Sequence, residues 1–182
     1  MATCMPQCTV WFYNPQNDSG LTSANLINKF VASVSPPFCH VELQFPSGEA
    51  CSIVMHGTVR MRQRTFDPEF YADVVLHAQS QALAKTIALA RWHVDSRTPF
   101  GVSSGHTFCS KLVAELLRDG GIVPPHALPQ ATVISPSALH EHLVRFRDTP
   151  LLRDPHAVVS APTPPVDFAP QRCAPQLRLT GP

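Results

Sequence analysis

The sequence predicts an α+β fold, in which a small antiparallel β-sheet packs against an α-helix that carries a cysteine. Three observations lead to this prediction. Short apolar runs separated by turn residues indicate strands, two of which pair as a hairpin. Apolar residues at helical spacing recur in the second half of the chain, where glycine and proline mark the helix ends. A cysteine, Cys109, stands at the start of one of these amphipathic helices.

Four segments have the composition of β-strands. Residues 9–13 form a short apolar run, and residues 73–77 form a second run of the same kind. Residues 38–45 and residues 51–56 flank a turn segment at residues 46–49, which contains proline, serine and glycine. These two segments therefore predict an antiparallel hairpin.

Four other segments have apolar residues at helical spacing. The first lies at residues 22–34 and stops at a pair of prolines, because proline cannot continue a helix. The second spans residues 83–94 and is rich in alanine, which suits close packing. The third begins at Cys109 and ends at a glycine pair. A short fourth helix begins at Ser135 and Pro136, because serine is a good cap and proline fits the first turn.

Composition excludes several classes of function. The net charge is +1 and only 15% of the residues are charged, so no strong positive field indicates nucleic-acid binding. No apolar run approaches the roughly 20 residues that a membrane-spanning helix needs. The first residues lack the charged and apolar regions of a secretory signal. We therefore expect a cytoplasmic, reducing location, in which the six cysteines are free thiols.

The 19 prolines indicate where the folded domain ends. Beyond residue 150 they recur among few bulky apolar residues, and proline can neither continue a helix nor serve in a central strand. We therefore predict one folded domain at residues 8–150 and a disordered, proline-rich tail at residues 151–182. The tail is either solvated or a docking segment for a protein partner.

The chemistry that the sequence suggests centres on Cys109 and His40. Unpaired N–H groups and the dipole at a helix start favour the thiolate of Cys109 over the thiol. His40 lies near the start of the strand predicted at residues 38–45, and its imidazole can take the thiol proton and return it to a leaving group. We predict that Cys109 is a nucleophile and that His40 is its general base. The backbone N–H of Cys109 would contribute to an oxyanion hole.

A third group is needed to orient His40, and two residues compete for this role. A hairpin that turns at Ser47 and Gly48 pairs residues whose numbers sum to about 95 or 96, which places His56 across the ladder from His40. Glu42 is the other candidate, because alternate residues of a strand share a face. We rank His56 above Glu42, since His56 belongs to the neighbouring strand.

Alternative interpretations use the same kinds of residue. Cys109 could be only a small buried hydrophobe, and His40 could likewise be structural. His106, just before the cysteine helix, could replace His40 as the base. A zinc cluster could be formed by Cys39, His40, Cys51 and His56. Their spacing matches no common zinc site, and adjacent strand residues point to opposite faces, so no metal is expected.

Two segments carry a resemblance to a known family. Cys39-His40-Val41-Glu42-Leu43 resembles a Ser-His-Val-Gly-Ile segment that supplies a catalytic base, and Phe108-Cys109-Ser110-Lys111-Leu112-Val113 resembles a Val-Cys-Ser-Glu-Leu-Val segment that supplies the nucleophile. Both segments are typical of the circularly permuted NlpC/P60 proteins of the papain-like superfamily, of the YiiX type and related viral proteins. The resemblance covers residues 10–143, with softer matches at residues 98–101 and 134–139.

The chain departs from that group in two places. Its bacterial members tend to carry a glutamate on the second hairpin strand, where this chain has Met55-His56-Gly57. Glu42 replaces the small residue often found two positions after the histidine, so it either narrows the site or supplies the missing carboxylate. The Asn-Cys-Glu-His signature of the lecithin:retinol acyltransferase branch is absent, which disfavours lipid acyl transfer.

The resemblance implies a papain-like thiol hydrolase that needs no cofactor and forms an acyl-enzyme on Cys109. A peptide, isopeptide or acylated substrate in the cytosol is expected, with an amide, ester or thioester bond as the target. The missing export signal argues against cell-wall peptide. Two alternatives stay open: a catalytically silent papain-like binding module, and an acyltransferase or deacylase that acts on a lipid or a lipidated protein.

Overall fold

The computed structural model describes residues 5–17, 36–101, 105–128 and 134–147. The chain divides into one unit at Met1–Leu152 and another at Arg153–Pro182, and all described residues belong to the first. The helix predicted at residues 22–34 and the tail predicted at residues 151–182 lie outside the described residues. The domain boundary at residue 150 therefore stays a prediction.

The described strands form one antiparallel sheet. They are β1 (Gln7–Tyr13), β2 (His40–Gln44), β3 (Glu49–Ser52), β4 (Arg60–Gln63) and β5 (Tyr71–His77). Their order across the sheet is β4-β3-β2-β1-β5, so β1 and β2 lie near its middle and β4 and β5 at its edges. Together with the helices described below, this sheet confirms the predicted α+β class.

The two faces of the sheet carry different side chains. The face that joins the main hydrophobic core includes Val10, Phe12, Val41 and Leu43, all fully buried. On the other face, Trp11 of β1 pairs with Glu42 of β2, and Tyr13 pairs with His40. Because alternate residues of a strand share a face, this second face combines aromatic side chains with two of the predicted site residues.

The described helices are α1 (Ser80–Asp95), α2 (Cys109–Gly120) and α3 (Pro136–Arg147). Helix α2 packs against both β2 and α1, and α3 packs against β5 and α2. Gly121 ends α2 with a φ of 83°, a left-handed conformation that glycine adopts without strain. None of the helices in the described ranges combines the length and the apolar composition needed to cross a membrane.

The start of α3 follows the prediction. The Ser135 hydroxyl accepts a hydrogen bond from the backbone N–H of Ala138 at 3.2 Å, which satisfies one of the free donors of the first turn. Pro136 is the first helical residue, where its missing N–H costs nothing.

The hairpin of β2 and β3 corrects the prediction for His56. Leu43 pairs with Cys51, whereas the predicted register pairs it with residue 52 or 53. Strand β3 then ends at Ser52, because the chain leaves the sheet in a turn that contains His56. His56 is exposed there and has a φ of 61°. The prediction that it lies across the ladder from His40 is therefore wrong.

Strand β4 is absent from the sequence prediction. Its four residues, Arg60–Gln63, are mostly polar and show no apolar alternation. Such a strand is stable here because β4 is an edge strand that pairs with β3 on one side only.

Candidate functional site

Cys109 is the first residue of α2, and its sulphur lies close to backbone donors. The preceding residue, Phe108, is extended with φ −135° and ψ 168°, and no side chain caps the helix. The backbone N–H groups of Val41 and Ser110 lie near the Cys109 sulphur and favour its thiolate form. Helix α2 also has no acidic residue in its first turn, so nothing there cancels the positive end of the helix dipole.

His40 lies beside the Cys109 side chain, close enough for each group to shift the pKa of the other. It opens β2 with Tyr13 of β1 as its register partner. The residue before it, Cys39, donates its backbone N–H to the Tyr13 carbonyl at 3.2 Å, which ties down the approach to the strand. The His40 side chain is 19% exposed, so the imidazole keeps some access to solvent.

Glu42 lies behind His40 on the same face of β2 and is 1% exposed. Its Oε1 atom is 3.6 Å from Nε2 of His40 and 3.0 Å from Nη1 of Arg64. These contacts are ion pairs and not well-aligned hydrogen bonds. The structure thus brings together Cys109, His40 and Glu42 of the predicted site.

The pKa values of Cys109 and His40 shift in opposite directions. Burial raises the pKa of Cys109, but the adjacent, positively charged imidazole of His40 and the two backbone N–H groups outweigh burial and lower it below 9.0. Burial lowers the pKa of His40, but the adjacent sulphur of Cys109 and carboxylate of Glu42 outweigh burial and raise it to about 9. Both shifts favour the charged forms, so the site favours a thiolate beside an imidazolium.

Glu42 is held as a carboxylate. Burial raises its pKa, but His40, Arg64 and the Ser52 hydroxyl together lower the pKa below its ordinary value of 4.5. Extending the β2–β3 register by one residue beyond the Leu43 pair places Ser52 opposite Glu42. The ionised carboxylate in turn stabilises the protonated form of His40.

The other described cysteines have a different environment. Burial raises the pKa values of Cys8, Cys39 and Cys51 to about 12 each. All three are free and buried. Of the cysteines in the described ranges, Cys109 is thus the one whose surroundings favour the thiolate.

The structure does not place the other predicted site residues, His56 and His106, in the roles considered for them. His56 occupies its exposed turn beyond β3, away from the strand position predicted for it. The backbone carbonyl of His106 accepts a hydrogen bond from Nζ of Lys111 at 3.1 Å, whereas the imidazole that lowers the pKa of Cys109 is that of His40. Across the described residues, no group of three His, Cys, Asp or Glu side chains could hold a metal ion.

Sequence analysis missed Arg64, which forms the shorter ion pair with Glu42. A signal for it exists in the chain, because Arg60, Arg62 and Arg64 occupy alternate positions and alternate residues share a face of an extended segment. A glutamate between the apolar residues Val41 and Leu43 also indicates a buried acid, which needs a cationic partner.

Comparison of the chain with protein-family models, with curated proteins and with solved structures gave no match. Function is therefore inferred from the arrangement of Cys109, His40 and Glu42.

Proposed function

We propose that this protein is a thiol hydrolase with a papain-like fold of the permuted NlpC/P60 type. Cys109 is the nucleophile, His40 the general base and acid, and Glu42 the residue that orients His40. One observation carries the proposal: a cysteine at a helix start lies beside a histidine that has a buried carboxylate behind it. A neutral or structural cysteine has no need of such partners.

The order of the histidine strand and the cysteine helix along the chain supports the circularly permuted arrangement of the proposed fold. The strand with the base, β2, precedes the helix with the nucleophile, α2, and the two elements pack against each other. The free thiols of Cys8, Cys39 and Cys51 suit a reducing compartment.

The distances also suggest how His40 divides its two nitrogens. Nε2 is the nitrogen near Glu42, at 3.6 Å from Oε1. Nδ1 is then left to serve the sulphur of Cys109. This division matches the role of a third group, which fixes the tautomer and orientation of the base.

The proposed reaction begins from the thiolate–imidazolium pair. The Cys109 sulphur attacks the carbonyl carbon of the substrate, the C–S bond forms, and the carbonyl electrons move to oxygen. The oxyanion is stabilised by the free backbone N–H groups at the start of α2. The bond to the leaving group breaks as His40 donates its proton to that group, which leaves a thioester on Cys109.

The second half of the reaction restores the site. Neutral His40 takes a proton from water, and the hydroxyl attacks the thioester carbon. The C–S bond breaks, the acid product leaves, and the thiolate–imidazolium pair forms again. Peptide, isopeptide and acyl bonds all fit this scheme, because each has a carbonyl carbon and a leaving group that accepts a proton.

The proposal is tested by alkylation of the folded, reduced protein with a limiting dose of iodoacetamide at neutral pH. Peptide mass spectrometry then gives the labelling rate of each cysteine. We expect rapid labelling of Cys109 and slow labelling of Cys39 and Cys51, which serve as internal controls. In His40→Ala we expect the Cys109 rate to fall by at least about tenfold, as a pKa rise of one unit or more would cause.

Two results would contradict the proposal. One is a Cys109 that reacts no faster than the buried controls, which would favour a catalytically silent binding module. The other is a Cys109 that reacts rapidly but at a rate unchanged in His40→Ala, which would remove His40 from the mechanism.

A further inference from the structure

The buried carboxylate of Glu42 depends on Arg64 for its charge. A carboxylate that is 1% exposed is costly to ionise unless a cation compensates it. Arg64 supplies the shorter contact, at 3.0 Å against 3.6 Å for His40. His40 cannot compensate Glu42 throughout a reaction, because it gives up its proton to the leaving group. Arg64 keeps its charge at every step.

The guanidinium of Arg64 is held in place by aromatic side chains. Its Nη2 donates a hydrogen bond to the Tyr71 hydroxyl at 2.8 Å. Its Cζ lies 5.1 Å from the ring centre of Phe66 and 5.9 Å from that of Tyr71. Phe66 in turn stacks on Trp11, with ring centres 4.8 Å apart. Nη2 of the Arg64 guanidinium thus bonds to Tyr71, while Nη1 faces Glu42.

The backbone of Arg64 is fixed to the same strands. Its carbonyl accepts a hydrogen bond from Nε2 of Gln44 at 2.9 Å, and Oε1 of Gln44 accepts one from Nε1 of Trp11 at 2.8 Å. The backbone N–H of Arg64 donates a hydrogen bond to the carbonyl of Gly48 at 3.2 Å. Arg64 is therefore anchored at both ends to β1, β5 and the β2–β3 hairpin, the framework that also carries Glu42.

We propose that Arg64 is a positioning residue for the Cys109–His40 pair, which acts by keeping Glu42 ionised and pointed at Nε2 of His40. This inference rests on the proposed function. Arg64 contacts Glu42, and Glu42 contacts His40, so the effect of Arg64 on the thiol passes through the carboxylate. Lysine replaces it only in part, because a single ammonium keeps the charge but lacks the planar guanidinium that contacts Glu42 and Tyr71 together.

The test measures the rate of Cys109 alkylation against pH in the full chain, with iodoacetamide as the probe. In Arg64→Met we expect the midpoint of the Cys109 profile to rise by about one pH unit. Without the Arg64 cation, Glu42 is less readily ionised and stabilises the imidazolium of His40 less. Arg64→Lys should lie between the wild type and Arg64→Met. Arg62→Met removes an exposed arginine of β4 and should leave the midpoint unchanged.

A double variant separates positioning from a merely structural role. If Arg64 acts through Glu42, then Arg64→Met should add no further shift to the midpoint of Glu42→Gln, although it lowers thermal stability in both backgrounds. An additional shift of similar size in the Glu42→Gln background would overturn the inference. So would an unchanged midpoint in a folded Arg64→Met protein, with folding checked by near-ultraviolet circular dichroism.

Tyr71→Phe covers the case in which Arg64→Met does not fold. It keeps the Arg64 charge and removes only the hydrogen bond that aims the guanidinium. We expect the midpoint of the Cys109 profile to rise, as in Arg64→Met, but by several-fold less than one pH unit. An unchanged midpoint would overturn the inference. A wild-type Cys109 that titrates like an ordinary thiol would instead overturn the proposed function, and the positioning role with it.

Discussion

The charged forms of Cys109, His40 and Glu42 stabilise one another against the energetic cost of burying a charge. Burial alone would make Cys109 and Glu42 neutral and His40 unprotonated, and each is charged because its neighbours are. The three groups alternate in sign from sulphur to imidazole to carboxylate. Removing one of them therefore changes the protonation of the others, so their mutational effects will not add.

His40 should show this coupling directly. We expect its imidazole to titrate near pH 9 in the wild type, because the Cys109 and Glu42 charges raise its pKa to about 9. In Cys109→Ala the anionic sulphur is gone, so the protonated imidazole loses a partner and the pKa falls, by about one unit or more. Nuclear magnetic resonance of the ring nitrogens measures both titrations. Equal values in the two proteins would contradict the assigned pair.

Glu42 and His56 can be told apart as the third group. Glu42→Gln removes the negative charge behind His40, so we expect Cys109 alkylation at a pH below its midpoint to slow by about tenfold. His56→Ala is the matched control and should leave the rate unchanged, because His56 lies in an exposed turn beyond β3. Measured rates in the reverse order would restore His56 as the orienting group.

Elements with strong apolar patterns are the ones that sequence analysis predicted well. Strand β1, helix α1 and helix α2 all fall where apolar spacing indicates them, since each buries one face in the core. Strand β4 has no such face, so hydrophobic periodicity carries no signal for it. The end of β3 also escaped prediction, because it depends on a turn at His56 that has no glycine at its left-handed position.

The contact between helices α1 and α2 depends on Gly120. A Cβ atom built at Gly120 would lie 1.9 Å from Oγ1 of Thr86 and 3.1 Å from its Cα atom. We therefore expect Gly120→Ala to lower the free energy of unfolding by about 1–3 kcal/mol, because the helices must move apart. The gain in helix propensity, at most about 1 kcal/mol, offsets only part of this cost. Urea denaturation measures the change.

Asp119→Ala is the matched control for this contact. Asp119 neighbours Gly120 on the same helix but is exposed, and its ion pair with Arg118 lies at the surface. Such pairs contribute about 0–1 kcal/mol, so the control should be close to the wild type. Similar losses in both variants would point to α2 itself and not to its packing on α1.

The residues of the candidate site come from distant parts of the chain, from His40 to Cys109. This separation limits how much of the site the sequence alone could predict. Cys109 and His40 were predictable because a helix start and a strand end are local features. The ion pair of Arg64 with Glu42 was not, since it depends on the path of the chain between β4 and β5. The choice between His56 and Glu42 turned on a hairpin register that shifts with a single residue of the turn.

Stability at low pH should depend on the buried carboxylate. The pKa of Glu42 is lower in the folded protein than its ordinary value of 4.5, so its stabilising contribution is present above about pH 4.5 and is lost as the pH falls through the folded value. We expect the free energy of unfolding to decline from pH 5 downward, and more steeply in the wild type than in Glu42→Gln. Urea titrations at stepped pH provide the slopes. Parallel slopes would show that folding does not lower the pKa of Glu42.

The meeting of α2 with β2 also ties chemical reactivity to conformational integrity. In an unfolded chain the sulphur of Cys109 has no imidazole or backbone donors around it and titrates at about 8.5, like any free cysteine. The packing of α2 on β2 thus brings the thiol of Cys109 to the imidazole of His40, and a copy in which this contact has opened keeps only the slower reactivity of an ordinary cysteine. If Cys109 is the proposed nucleophile, unfolded or damaged molecules would attack carbonyl groups more slowly than folded ones, so loss of the fold and loss of reactivity would occur together.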